Sequence, residues 1–178
     1  TLKLKLKDVM RAWVPGLRMD LSNLGVETIP SDIWKKNAIG NLNCSGNKIS
    51  ELPKEIGILV NLTHIYLVHN QLDDLPETFG TLQSLKVCRL DHNFFDEIPK
   101  CIYKLRNLEK LTLSFNSITH YIEQGIGQLI DLKVFWINNN QLEGFHEEMG
   151  KLRGLTEIIA SDNLISDLPK GFRYLTNL

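Results

Sequence analysis

Apolar positions recur along the chain with a period of 23 residues. Two consecutive stretches show the pattern: "LTHIYLVHNQLDDLPETFGTLQS" starts at Leu62, and "LKVCRLDHNFFDEIPKCIYKLRN" starts at Leu85. Aliphatic residues, one asparagine and one proline stand at matching places in both, while the residues between them differ. Fixed positions at a constant spacing predict a protein built from repeated structural units.

The asparagines set the length of the repeat. They lie 23 residues apart, with one interval of 24, at Asn47, Asn70, Asn93, Asn116, Asn140 and Asn163. The rows that contain them start at Ile39, Leu62, Leu85, Leu108, Leu132 and Leu155. A first, degenerate row spans residues 16–30 and has Leu24 in the asparagine slot. The sequence therefore predicts seven units.

Each fixed position has a physical role. Alternate residues at the centre of a unit, such as Ile65 and Leu67, face the same side, as in a β-strand. One short strand cannot bury such a face alone, so stacked units should form a parallel sheet over a continuous core. The asparagine should lie inside the following turn, where its amide can bond backbone groups of its own coil and of the adjacent coil.

The end of each coil is also apolar. The predicted closing residues are Leu52, Leu75, Ile98 and Leu168, each followed by a proline. Proline fixes the direction of the chain as it turns. The next apolar pairs should then pack inward from a short return: Ile56/Leu59, Phe79/Leu82 and Ile102/Leu105.

The full pattern, L-x-x-L-x-L-x-x-N-x-L-x-x-L-P-x-x-[IF]-x-x-L, resembles the 23-residue class of intracellular leucine-rich repeats. That class includes Ras-suppressor-type proteins, Ras-binding phosphatase scaffolds, fungal adenylyl cyclases, polarity scaffolds and Roco GTPase-kinases. The resemblance covers roughly residues 14–178. It implies an α/β leucine-rich repeat solenoid, or horseshoe, with a parallel concave sheet of about seven strands and short helical or irregular convex returns. These proteins share a scaffold and little else, so the resemblance implies no single activity.

Two units depart from the pattern on the side of the returns. In the fifth unit, "HYIEQGIGQLIDL" (120–132), Ile122 replaces the proline and one extra residue follows. The sixth unit has His146 in the proline slot. We interpret both as an adjustment of the convex turn, because loops absorb single residues at low cost.

The two ends of the chain differ from the repeats. We assign residues 1–13 to a cap-like segment and residues 14–178 to the repeat domain. The first segment alternates like a strand at its start, yet five apolar residues also form one helical stripe: Leu2, Leu6, Val9, Met10 and Trp13. We favour a helical cap; the alternative is a basic amphipathic segment at a membrane surface. The chain stops at the first position of a further unit, so we expect a fragment of a longer protein.

The composition of the chain argues against several classes of protein. A formal net charge of −1 argues against a nucleic-acid binder that works through a positive field. No apolar run approaches the roughly 20 residues of a membrane-spanning helix. The three cysteines lack the spacing of a disulfide framework, and Cys44 and Cys88 stand in leucine slots, so we expect buried, inert thiols. These features favour a cytoplasmic protein.

Motifs for catalysis are absent from the sequence. There is no nucleotide-binding glycine loop, H-E-x-x-H or G-x-S-x-G, so we predict neither catalysis nor a cofactor within this chain. His69 and His92 occupy the same slot of adjacent coils, and Asp91 adjoins His92. Two imidazoles and a carboxylate could hold zinc, but we interpret them as solvent-facing residues and predict no metal site.

The residues that flank the strand leucines should line an exposed concave face in three columns. The central column reads Asp20, Asn43, Tyr66, Arg89, Thr112, Trp136 and Ile159. The preceding column reads Arg18, Asn41, His64, Val87, Lys110, Val134 and Glu157. The following column reads Ser22, Ser45, Val68, Asp91, Ser114, Asn138 and Ser161. Tyr, Trp and Arg dominate interface hot spots, although aromatic and β-branched residues also simply suit strands.

We predict that this face binds a folded protein partner. The predicted contact residues are His64, Tyr66, Val87, Arg89, Asp91, Lys110, Val134, Trp136 and Ile159. Trp136 and Tyr66 would be apolar anchors, Arg89 and Lys110 would pair with acids of the partner, and Asp91 with Glu157 would set polarity.

The resemblance suggests a Ras-type small GTPase or a phosphatase or kinase complex as first partners for a signalling scaffold. Two alternatives stay open: the regulatory repeat region of a larger adenylyl cyclase or Roco-type enzyme, and a bacterial or parasite effector.

Overall fold

Seven three-residue strands form one parallel sheet. The computed structural model describes Asp8, residues 18–36 and residues 38–178. In spatial order the strands are β1 (Arg18–Asp20), β2 (Asn41–Asn43), β3 (His64–Tyr66), β4 (Val87–Arg89), β5 (Lys110–Thr112), β7 (Val134–Trp136) and β9 (Glu157–Ile159). The predicted leucine-rich repeat solenoid with a parallel sheet is confirmed. The predicted cap at residues 1–13 falls, apart from Asp8, outside the described residues.

Every strand pairs with the equivalent three residues of the next coil. Ile65 lies opposite Leu42 on one side and Cys88 on the other. The pairing steps over the longer fifth unit without a shift, because Leu111 still lies opposite Phe135. Equivalent side chains therefore form straight columns across the sheet.

Short 3-10 turns make the returns on the convex side. Among the described residues they are Ser31–Lys35, Lys54–Ile58, Glu77–Thr81, Ile102–Lys104, Gln124–Gln128, Glu147–Lys151 and Lys170–Tyr174. Pro53, Pro76 and Pro169 stand immediately before their turns with φ of −71°, −63° and −65°. These angles match the fixed φ of proline, which explains the residue at this slot.

The core is a continuous stack of aliphatic side chains. Ile65, Leu67 and the predicted inward pairs of the returns are fully buried. Leu52, Leu75 and Ile98 close their coils at 6%, 5% and 4% exposure. Leu168 also precedes the proline of its turn, and 61% of it is exposed in the last coil.

The asparagines join neighbouring coils, as predicted. Asn93 Nδ2 donates to the carbonyl of Leu90 in its own coil at 3.0 Å and to that of Leu67 in the preceding coil at 2.9 Å. Its Oδ1 accepts a 3.0 Å hydrogen bond from the backbone N–H of Leu72. One amide thus satisfies three backbone groups that water cannot reach.

The two units that lack proline form an additional pair of short strands. Their turns form a second parallel pair, β6 (Thr119–Tyr121) with β8 (Gln141–Gly144), whose register shifts between His120 and Tyr121. The backbone N–H of Ile122 then donates to the carbonyl of Gly144 at 3.0 Å. The extra residue of the fifth unit is thus accommodated in this paired turn, while the main sheet keeps its register. A proline at residue 122 would lack the N–H that extends this pairing.

Candidate functional site: the concave face

The strand register brings the predicted columns together on one face. Tyr66 lies in line with Asn43 and Arg89, and Thr112 with Trp136. The residue between the flanking positions is buried on the core side in β1 to β5 and in β7, as for Ile65 and Phe135, and Ile158 of β9 is partly buried. Tyr66 and Trp136 consequently share the opposite side, which is the concave face. Three strand spacings of about 4.8 Å separate them by roughly 14 Å.

Tyr66 is half-buried among other side chains of this face. The imidazole of His64 stacks near its ring, with 6.4 Å between the ring centroids. The guanidinium of Arg18 lies 5.6 Å from the Tyr66 ring centroid and also pairs with Asp20 at 3.1 Å. The ring is therefore held in place while part of it stays accessible.

Trp136 is positioned from two neighbouring coils. The Lys110 ammonium lies 3.8 Å from the indole centroid, a cation–π contact. On the other side the indole N–H donates to Glu157 Oε1 at 2.7 Å. Lys110, a predicted contact residue, and Glu157, which was expected to set polarity, thus both contact Trp136 within the chain.

Asp91 differs from its prediction. It is 4% exposed, so the expectation that it lines the open surface is wrong. Its carboxylate accepts hydrogen bonds from the Thr112 hydroxyl at 2.6 Å and the Ser114 backbone N–H at 3.1 Å. It also pairs with Arg89 Nη2 at 3.2 Å. The carboxylate is folded into the sheet surface because donors from the next coil surround it.

Asp91 belongs to a longer polar network on the face. The Ser114 hydroxyl donates to Asn138 Oδ1 at 2.6 Å, which links β5 to β7 beyond the strand ends. Near the first coil, Asp20 accepts from the Ser22 hydroxyl at 2.6 Å and from Asn43 at 3.0 Å. Partial burial works to raise the pKa of Asp20, but the bonds from Ser22 and the charge of Arg18 outweigh it and lower that pKa.

Aliphatic residues fill the space between the anchors. Val87 and Val134 are half-buried in the column that contains Lys110, and Ile159 is 37% exposed beyond Trp136. The predicted residues other than Asp91 therefore form a partly accessible surface of mixed apolar and basic character.

A family model described as a leucine-rich repeat region matches residues 19–160. The chain belongs to the leucine-rich repeat family. A comparison with curated protein sequences gives no match.

Three solved structures show the same fold as this leucine-rich repeat chain. An internalin (inlF) of Listeria monocytogenes is 21% identical, with a TM-score of 0.72 over 85% of this chain and 43% of its own. A leucine-rich repeat protein of Leptospira interrogans is 24% identical, with a TM-score of 0.65 over 97% and 62%. The plant peptide hormone receptor RGFR1 in complex with RGF2 is 28% identical, with a TM-score of 0.72 over 85% and 25%. The chain spans less than two thirds of each of these proteins.

The cysteines of this leucine-rich repeat protein are buried and unpaired, as predicted for Cys44 and Cys88. Burial, with the charge of Asp20, raises the pKa of the Cys44 thiol to about 12. Burial first, and then the charges of Asp74 and Glu77, raise the pKa of Cys101 to about 12. Burial raises the pKa of Cys88 as well. Thiolates do not form at neutral pH, so these groups are poor nucleophiles.

The two histidines considered for zinc stack on each other instead. The ring centroids of His69 and His92 lie 4.0 Å apart, while the Asp91 carboxylate is bonded to Thr112 and Ser114 on the concave face. Among the residues that the structure describes, no three His, Cys, Asp or Glu side chains are arranged to hold a metal ion. In the same part of the chain, no helix has the length and apolar character to cross a membrane.

Sequence reasoning missed two exposed aromatic residues beside these histidines. Phe115 continues the stack, 4.3 Å from His92, and Phe94 is 61% exposed. A signal was present, because His69, His92 and Phe115 all directly precede the asparagine of their unit.

Proposed function

We propose that the chain is a protein-recognition module whose concave face binds a folded partner through Tyr66 and Trp136. The observation that carries this proposal is the fixed placement of the two rings on one face, each held by contacts within the chain. Side chains that are ordered before binding lose less entropy in the complex. A separation of roughly 14 Å also fits inside a standard interface, which covers about 800 Å² of each partner.

The charges on the face suggest the character of the partner. Lys110 is half-buried against Trp136, and Arg89 is only partly neutralised by Asp91. A partner that places an apolar or aromatic group beside a carboxylate would complement the Trp136 ring and the positive charges of Lys110 and Arg89. Asp91 acts in this proposal by orienting Arg89 and not by touching the partner.

Binding of a peptide hormone by one structural neighbour supports the proposal. The plant receptor, which is 28% identical to this chain over the aligned region, was solved in complex with RGF2. We extend the proposal to a non-catalytic signalling scaffold in the cytoplasm, with a Ras-type small GTPase or a phosphatase or kinase complex as partner. Three unpaired cysteines support a reducing compartment.

The alternative is a regulatory repeat region within a larger multidomain signalling enzyme. The same face would then bind a domain of its own chain or a regulator. The full open reading frame distinguishes this alternative from a separate scaffold.

Affinity purification with the immobilised chain tests the proposal. Wild type is compared with Tyr66→Ala, Trp136→Ala and the matched control Tyr174→Ala, which removes an exposed aromatic residue from the last return. We expect the two concave variants to bind the recovered partner at least about 10-fold more weakly, and the control to bind normally. The proposal fails if both concave variants keep their affinity within about 1 kcal/mol.

A further inference from the structure

One backbone position has the left-handed conformation in all seven coils. It is the residue directly before the asparagine slot, with φ between 55° and 70°. The seven residues are Asn23, Gly46, His69, His92, Phe115, Asn139 and Asp162. The turn after each strand therefore requires this conformation whichever residue stands there.

Three neighbouring coils fill this position with rings. Glycine, asparagine and aspartate adopt positive φ most readily, and they occupy the four flanking coils. Phe115 has φ of 56°, which is unfavourable for a bulky side chain. His69, His92 and Phe115 stack at 4.0 Å and 4.3 Å, and we call these three residues the aromatic ladder.

The aromatic ladder lies at the surface beside Phe94. Phe115 is 47% exposed and Phe94 is 61% exposed, and both line one shallow hollow of about 420 Å³ with the two histidines. The backbone N–H of Phe94 donates to the carbonyl of Leu72 at 2.8 Å, which holds this turn against the preceding coil. Apolar rings thus stay open to solvent on an ordered backbone.

Exposed acidic residues follow the aromatic ladder along the chain, while the hollow itself is lined by the rings and by asparagine and glutamine side chains. The exposed carboxylates of Asp73, Asp74, Asp96 and Glu97 follow in the same turns. The three turns, 69–74, 92–97 and 115–120, contain no lysine or arginine. An exposed apolar patch rimmed by polar residues is typical of an interaction site.

We propose that the aromatic ladder and Phe94 dock an arginine-rich segment of a partner protein. A guanidinium stacks on aromatic rings and forms paired hydrogen bonds with carboxylates, so arginine matches both components of this surface. The acidic side chains that follow the aromatic ladder repel nucleic acids and anionic membranes. This site lies on the loop edge of the solenoid and is independent of the partner proposed for the concave face.

Fluorescence anisotropy with a fluorescein-labelled peptide of alternating arginine and glycine tests the site at about 0.15 M salt. We expect saturable binding to wild type and at least about 10-fold weaker binding to the double variant Phe94→Ser with Phe115→Asn. Asparagine suits the left-handed position, so this variant should fold, which a urea denaturation curve checks. The second double variant, Asp96→Asn with Glu97→Gln, should also weaken binding. Trp136→Ala should bind the peptide like wild type.

The following results would overturn the proposal. The first is no saturable binding of the arginine peptide to wild type. The second is equal affinity for a peptide of alternating lysine and glycine, which would indicate general charge attraction. The third is unchanged affinity in both double variants, or a preference for labelled oligouridine. Because Trp136→Ala removes an anchor of the concave face alone, failure at one site leaves the other proposal unaffected.

Discussion

The ammonium group of Lys110 lies 3.8 Å from the centre of the Trp136 indole ring, one strand away on the concave face. This contact places a cation directly beside the proposed apolar anchor. The indole N–H is bonded to Glu157 at 2.7 Å, so the ring is oriented on both sides. A partner therefore meets a prearranged group and not a mobile side chain.

Lys110 and Trp136 should be energetically coupled. We expect a coupling free energy of about 0.5–1 kcal/mol from a double-mutant cycle with Lys110→Met and Trp136→Leu, because the pair is partly exposed. Urea denaturation of wild type, both single variants and the double variant measures it. Additive effects of the two substitutions would show that the cation–π contact contributes nothing.

Asn93→Ala should be strongly destabilising. Its amide forms hydrogen bonds with backbone groups of Leu67, Leu72 and Leu90, and alanine would leave these groups unsatisfied in the core. Each buried group costs about 1–3 kcal/mol, so we expect a loss of about 3 kcal/mol or more in the free energy of unfolding. Asn107→Ala is the matched control, because Asn107 makes a single exposed bond to Gln83. Equal losses for the two variants would contradict the bridging role.

Replacing a buried and an exposed leucine of the repeat by alanine should change the free energy of unfolding by different amounts. Leu67 is fully buried, and we expect Leu67→Ala to lower the free energy of unfolding by about 2–5 kcal/mol. Leu168 is 61% exposed, so Leu168→Ala should cost less than about 1 kcal/mol. Denaturation curves of both variants check the difference. A loss below about 1 kcal/mol for Leu67→Ala would contradict the register.

Introducing proline at the two slots that lack it should affect stability to different degrees. His146 has φ of −74° and ψ of 151°, which proline accepts, so His146→Pro should change stability by less than about 1 kcal/mol. Ile122→Pro removes the N–H that donates to Gly144 and a buried side chain, and should cost about 2 kcal/mol or more. Thermal unfolding compares them, with Ile122→Val as the control for side-chain size. Tolerance of both prolines would show that β6 and β8 contribute no stability.

The stacked histidines should make the fold sensitive to acid. Burial lowers the pKa of His92, the neighbouring His69 lowers it further, and Asp91 acts in the opposite direction. Because the folded state favours neutral His92, its contribution is fully present above the ordinary histidine pKa of about 6.5 and is lost as pH falls below it towards the lowered value. Urea midpoints at pH 7.5 and pH 5 should differ less in His92→Asn than in wild type.

The repeat length predicted the stacking of the coils because each unit has to bury its apolar face against the next. The columns of the concave face could be predicted from the same repeat length, since a constant register aligns equivalent residues of adjacent strands. The burial of Asp91 could not be predicted from its own unit, because Thr112 and Ser114 come from the next coil. The pairing of β6 with β8 likewise depends on the N–H of Ile122 bonding Gly144 of the next coil.

The continuation of the histidine stack to Phe115 escaped prediction for a different reason. The residue before the asparagine belongs to a turn, and turn residues are usually interpreted as solvent-facing. Only the constant φ at this position across seven coils shows that Phe115 occupies a conformation better suited to glycine or asparagine.

Within the described residues, each strand pairs with its counterparts in the adjacent coils, and Asn93 bonds its own coil and the preceding one. The solenoid is therefore modular. Excision of residues 85–107, one whole unit, would bring together two cut surfaces that already have complementary shapes. The distance from Tyr66 to Trp136 would shorten by one strand spacing, about 4.8 Å. Removing one unit therefore changes the distance between the two anchors by a fixed step. A partner's tolerance for this distance can be measured without altering Tyr66 or Trp136.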